Sequence, residues 1–234
     1  MNGKLYGVGV GPGSADYLTL KAVNCIREAD IICIPTVSKD LCRAYRIAKE
    51  AVPETEGKEC ICLDCKMTRS REELEKVHSE SFEVIRRYLS DGKNVAFITI
   101  GDPVVYSTFT GIMKKASDAG FEAEQINGIT SFTASAAALG ISLCEEEEEI
   151  HIGTGQSDIE GLLKLPGTKI IMKAGKNIGK IKETLRRAEE TGRIMVYAVI
   201  NCGTEEESRY SGAEDIPVDA GYMTTIIIKE LKQQ

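Results

Sequence analysis

Apolar positions along the chain recur with two alternating periods. Lys4 to Val10 is a short apolar run that ends in glycines, and after it Leu18, Ala22, Ile26 and Ala29 return at the spacing of one helix face. This predicts strand, glycine turn and helix, with Ser14 or Asp16 as the helix N-cap. Ile31-Ile32-Cys33-Ile34 then reads as a buried strand, Leu41 to Ala51 as a helix, Glu59 to Leu63 as a strand and Arg71 to Leu89 as a long amphipathic helix. Asn94 to Ile100 is a strand running into Gly101-Asp102-Pro103, and Ser107 to Ala119 is a helix closed by Gly120. Strand and helix alternating in this way indicate a parallel sheet with helical crossovers.

The pattern begins again at Glu122 to Ile126. An Ala-rich helix follows from Ser131 to Leu139, then strands near Glu149 to Ile152, Thr168 to Lys173 and Arg193 to Ile200. Glu207 to Ser211 and Thr224 to Leu231 have no helix between them and are expected to pair as an antiparallel hairpin. The fold class expected is α/β: two α/β domains, residues 1–116 with a parallel sheet and residues 117–234 with a mixed sheet, with a ligand cleft between them.

The 234 residues are 42% hydrophobic and 28% charged, a globular composition, and 29 basic against 36 acidic side chains leave a net charge of −7. An acidic chain does not suit a general nucleic-acid binder, so no nucleic acid is expected as a partner. No apolar run approaches the ~20 residues that cross a bilayer, and the opening lacks the plan of a signal peptide, so the expectation is a cytoplasmic protein with no membrane partner. Its eight cysteines are then expected to be reduced thiols.

Two glycine clusters carry the candidate chemistry. Gly7-Val8-Gly9-Val10-Gly11-Pro12-Gly13 does not fit a dinucleotide fingerprint: the sixth position is Ser14 counted from Gly9 and Pro12 counted from Gly7. Pro12 also lacks the N–H that a phosphate would use. In the second cluster, Gly101-Asp102-Pro103 places exposed backbone and a carboxylate at the carboxyl end of a parallel strand, where open α/β folds bind ligands. Carbonyls and Asp102 are acceptors; they suit hydroxyls, an amino group or a sulfonium. Asp102 could instead simply cap the helix that follows.

Gly9-Val10-Gly11-Pro12-Gly13, Leu18-Thr19-Leu20-Lys21-Ala22 and Ala29-Asp30-Ile31-Ile32 together resemble the amino-terminal signature of the tetrapyrrole methylases. Gly101-Asp102-Pro103, Gly128-Ile129-Thr130-Ser131, Asn201-Cys202-Gly203-Thr204 and Thr224-Thr225-Ile226-Ile227-Ile228 resemble that family's further motifs, in order and over the whole chain. Residues 101–108 and Tyr222-Met223-Thr224-Thr225 are most similar to the branch that methylates carbon 20 of precorrin-2 or cobalt-factor II in cobalamin synthesis. Other cobalamin or sirohaem intermediates, or a non-catalytic sensor of the adenosyl ligand, are the alternatives. The resemblance implies S-adenosylmethionine as methyl donor, bound between the two domains, usually in a homodimer. It further implies cofactor contacts from Pro12, Gly101, Asp102 and Val105, and from Thr130, Ser131, Met172, Gly203 and Thr225. Met172 could equally be a core residue of its strand.

Methyl transfer from a sulfonium needs alignment more than acid–base machinery, and effective molarities of ~10⁵ M are within reach of positioning alone. A proton must still leave the methylated carbon, and Asp102 and Tyr106 are the candidates to orient or accept it. A polycarboxylate tetrapyrrole needs a local basic cluster on an acidic protein. Lys39, Arg43 and Arg46 are the candidate substrate contacts, with Arg69 and Arg71 in a second loop, although an ordinary solvated helix face would look the same. Cys60-x-Cys62-x-x-Cys65 has metal-like spacing. Structural zinc wants four ligands, however, and neither His78 nor His151 has a supporting pattern, so no metal is expected.

Overall fold

The computed structural model describes residues 1–65, 68 and 70–231. Its contacts divide the chain into two compact units, Met1–Thr130 and Ser131–Gln234.

The first unit is a five-stranded, wholly parallel sheet. Its strands are β1 (Leu5–Gly9), β2 (Ile31–Ile34), β3 (Glu59–Cys62), β4 (Val95–Thr99) and β5 (Ala123–Ile126), in the order β3-β2-β4-β1-β5. Among the described residues, four α-helices complete it: α1 (Leu20–Glu28), α2 (Arg43–Ala51), α3 (Arg71–Ser90) and α4 (Phe109–Asp118). Central β4 shows why the fold holds. Ala96 and Ile98 face a core with Ala22 and Ile26 of α1 and Ala44, Ile47 and Ala48 of α2. Val95 and Phe97 face the opposite core, with Phe82, Ile85 and Leu89 of α3 and Phe109 and Ile112 of α4. A strand covered on both sides must be apolar throughout, and each large side chain buried there contributes about 1.5–3 kcal/mol. The expected C-terminal cap of α4 is present: Gly120 has φ +82°, and the Phe121 N–H reaches back to the Ala116 carbonyl at 3.0 Å.

In the first unit, two details differ from the sequence expectation. Helix α1 starts at Leu20, and its N-cap is Thr19, whose Oγ1 accepts from the Ala22 N–H at 3.1 Å; residues 15–17 form a separate 3-10 turn. The division between units falls later than residue 117 because β5 pairs with β1, Leu5 opposite Ala123 and Val8 opposite Ile126. The α4 crossover thus returns the chain to the first sheet before the second unit begins.

The second unit is a mixed sheet of β6 (Ile150–Thr154), β7 (Thr168–Met172), β8 (Ile194–Ile200), β9 (Ser208–Ser211) and β10 (Thr224–Glu230), in the order β6-β7-β10-β8-β9. Its helices are α5 (Ser131–Leu139), α6 (Ile159–Leu163) and α7 (Ile178–Glu189). The expected hairpin of the last two strands does not form. β8 lies between β9 and β10 and pairs antiparallel with both, and β10 also pairs with β7. The residues explain the order: Thr224 to Ile228 are buried without a break, which suits a central strand, while Ser208-Arg209-Tyr210-Ser211 is polar enough for an edge. Ile178, Ile181 and Leu185 of α7 pack on Ile171, Val196, Ile226 and Ile228. Among the described residues, no helix is long and apolar enough to cross a membrane.

Candidate active site

The carboxyl ends of β1, β4 and β5 are tied into one knot of backbone. Gly11 and Gly101 face each other across an isolated antiparallel bridge: Gly101 N–H donates to the Gly11 carbonyl at 2.8 Å, and Gly11 N–H to the Gly101 carbonyl at 3.2 Å. Both adopt positive φ, +77° and +71°, where a Cβ is strained. Gly9 and Gly128 pack so closely that a Cβ on Gly9 would lie 2.5 Å from Gly101 O and 2.7 Å from Gly128 N. Beside Gly101 the situation reverses, since a Cβ there would have only Ile129 O nearby, at 4.0 Å. The edge is closed between its strands and open above Gly101.

Asp102 fastens this knot. It is 6% exposed; Oδ1 accepts from Val104 N–H at 2.8 Å, and Oδ2 accepts from Asn127 Nδ2 and from Gly128 N–H, each at 3.1 Å. The carboxylate therefore does more than cap the turn before α4, because it joins the loop after β4 to the loop after β5. Its consequence for ligand chemistry is a shortage of donors. Pro12 and Pro103 have no N–H, and those of Val104 and Gly128 are taken by Asp102. Such an edge is poorly furnished for phosphates, and its buried negative charge favours a cationic ligand. By this measure the residues present fit a sulfonium nucleoside.

Around the knot, Pro12 is buried in the turn after β1, and Val105 is half-buried beyond Asp102. Tyr106 has φ +48° and is 48% exposed, so a non-glycine residue is held in left-handed backbone. Because the sheet is parallel, the loop after β2 lies on the same carboxyl edge. There the Lys39 ammonium sits 5.4 Å from the centre of the Tyr45 ring, while Arg43 opens α2 and Arg46, three residues on, is exposed. Arg71 is the first residue of α3 and is exposed; Arg69 lies outside the described residues. Cys60 and Cys62 are on β3, with Cys65 beyond it. Burial pushes the Cys60 thiol up to about 12. Among the described residues, no group of three His, Cys, Asp or Glu is placed to hold a metal ion.

In the second unit β10 runs antiparallel to β7 and β8, so its start lies at the same sheet edge as their ends. Four of the expected cofactor residues gather there. Thr225, buried at the start of β10, donates through Oγ1 to Ser131 Oγ at 3.3 Å, and Ser131 is the first residue of α5. Met172 closes β7 and is buried. Gly203 follows β8 with φ +77°, its N–H donating to Glu207 Oε2 at 2.7 Å. Thr130 is the last residue of the first unit and is half-buried.

Sequence reasoning did not single out Asn127 or Thr19 for the site. Thr19 Oγ1 donates to the Asn127 carbonyl at 3.2 Å while capping α1, and Asn127 in turn holds Asp102. The partners lie 108 and 25 residues apart in sequence, so no local pattern announces them. The one available signal was Thr19 ahead of the apolar helix face, a better N-cap position than Ser14 or Asp16.

Residues 4–215 match the family model for Tetrapyrrole (Corrin/Porphyrin) Methylases. A Methanocaldococcus jannaschii protein named "Probable cobalt-precorrin-2 C(20)-methyltransferase" is 35% identical over 234 residues, covering 98% of this chain and 97% of its own. A Sinorhizobium protein, "Precorrin-2 C(20)-methyltransferase", is 25% identical over 99% of this chain and 97% of its own. Among solved structures, that of a cobalt precorrin-4 methyltransferase superposes with a TM-score of 0.75 over 97% of this chain and 94% of its own, at 20% identity. The family model spans most of the chain and the 35% identity runs along nearly all of it: the chain belongs to the tetrapyrrole methylases.

Proposed function

We propose that this protein is an S-adenosylmethionine-dependent C-methyltransferase that methylates C-20 of cobalt-factor II, or of precorrin-2, in cobalamin biosynthesis. The observation that carries the assignment is 35% identity along nearly the whole chain with a relative named for that reaction. Identity with the relative named for the cobalt-bearing acceptor exceeds the 25% found for the metal-free one, which favours the cobalt form. The bound nucleoside supplies an electrophilic methyl on a sulfonium.

The chain's own residues would act by placement. Gly101, open to one side, admits the ligand against backbone, with Pro12 and Val105 as its neighbours. Asp102 keeps the edge rigid and negative, which favours a cation over a neutral nucleoside in a site of low dielectric. Ser131, Thr130, Met172, Gly203 and Thr225 are proposed contacts of the same ligand. With both Asp102 oxygens engaged, Tyr106 is the better placed of the two candidates to orient the proton that leaves C-20. Lys39, Arg43 and Arg46 are proposed to bind substrate carboxylates. A second copy of the chain as partner and a cytoplasmic location belong to the same proposal, the former read by light scattering.

Parallel incubations with cobalt-factor II and precorrin-2, followed by mass spectrometry, test the assignment. One added methyl group at C-20 supports it. Binding of the nucleoside without transfer to either tetrapyrrole would make the protein a sensor.

A further inference from the structure

The loop after β5 is joined to Asp102, at the proposed cofactor edge, by one side chain and one backbone N–H. Asn127 Nδ2 donates to Asp102 Oδ2 at 3.1 Å, the Asn127 carbonyl accepts from Thr19 Oγ1 at 3.2 Å, and its neighbour Gly128 donates its N–H to the same Asp102 oxygen. Asn127 thus connects the first turn of α1 with the carboxylate that closes β4. Asp102 is buried and its carboxylate is held by three donors, of which Asn127 supplies the only side chain among the described residues. Carboxamide is the group this position needs: it donates without adding charge beside a carboxylate, whereas a carboxylate there would repel and an aliphatic side chain would leave Oδ2 with one donor fewer.

We infer that Asn127 is a positioning residue for the cofactor, setting the orientation of Asp102 and through it the negative edge that receives the sulfonium nucleoside. The inference rests on the functional reading above. It concerns nucleoside affinity and not the tetrapyrrole, because Asn127 reaches the site through Asp102.

Calorimetry of the full chain with S-adenosylmethionine tests it on the wild type, N127A, N127D, D102N and the D102N/N127A double variant. Loss of the donor in N127A should weaken binding about 10-fold, and N127D should weaken it further because two carboxylates then face each other. In the D102N background, N127A should cost less than about twofold, since a residue that acts through Asp102 has nothing left to position. The KM for the tetrapyrrole at saturating methyl donor should stay within about twofold of wild type for N127A. Wild-type affinity in both N127A and N127D overturns the inference, and so does an undiminished N127A effect in the D102N background. A wild type that gives no heat with the nucleoside refutes the functional reading instead. Urea midpoints of the same proteins then decide the coupling, additive shifts for N127A and D102N overturning it.

Discussion

One methyl group at Gly9 should damage stability, while the same group at Gly101 should damage binding. A Cβ at Gly9 would lie 2.5 Å from Gly101 O and 2.7 Å from Gly128 N, against ordinary contacts of 3.4–4 Å, and every obstructing atom is backbone of an adjacent strand end. No rotamer can relieve the clash, so the strand ends must part. Overpacking of well-packed sites costs about 1–3 kcal/mol, and G9A belongs at the top of that range, near 3 kcal/mol. At a urea dependence of about 2–3 kcal/mol per molar, the midpoint should fall by about 1 M. At Gly101 the nearest atom is Ile129 O at 4.0 Å, so crowding is negligible and only the positive φ of +71° counts, about 1–2 kcal/mol. The G101A methyl would instead enter the space above the edge and exclude the nucleoside. Urea unfolding and calorimetry on both variants separate the effects. Equal midpoints for G9A and wild type, or a larger midpoint loss in G101A than in G9A, would refute the knot as described.

Three further tests address other links. T19A should lose about 1 kcal/mol with the α1 cap, and T19S should restore most of it; urea midpoints report both. The Glu124 carboxyl, bonded by Lys21 and Lys4, is held down at about 2 from an ordinary 4.5. The sign is that of a depressed carboxylate: its stabilisation is present above pH ~4.5 and is lost as pH falls towards 2, so E124Q should flatten that part of the acid-unfolding curve. Reversing charge in R43E/R46E should raise tetrapyrrole KM and leave nucleoside affinity unchanged, and an unaltered KM would return both arginines to the role of solvated helix surface.

The sequence carried the alternation of strand and helix because both faces of β4 are covered, which forces an apolar run that no other element explains. Helix α5 was legible to the residue, from a run of alanines bounded by Ser131 and Gly140. What escaped was either locally weak or non-local. Helix α7 shows Ile178, Ile181 and Leu185 at helical spacing, but basic and polar residues dilute the stripe between two strong strands. The place of β10 depended on which strand it inserts between, and β5 belongs to the first sheet through its pairing with β1, which no local pattern discloses. In the site, the glycines and Asp102 were visible as motifs. Their division of labour was not, since it depends on Asn127 and Thr19 arriving from distant loops.

The shortage of N–H donors connects the fold to the chemistry. Strand ends in parallel α/β sheets ordinarily offer backbone N–H groups at helix N-termini, an arrangement that attracts phosphate. Here Pro12 interrupts the turn after β1 and Pro103 the turn after β4, and the N–H groups of Val104 and Gly128 are turned onto Asp102. The same topological location is thereby converted from an anion site into one suited to a cation. D102N removes the charge and also turns an NH2 toward one of these donors, a geometric loss common to both ligands, so comparing a charged with a neutral ligand isolates the electrostatic part. If charge governs cofactor choice, D102N should lose affinity for the sulfonium S-adenosylmethionine more than for its neutral sulfide product. Equal losses for the two ligands would assign Asp102 to geometry alone.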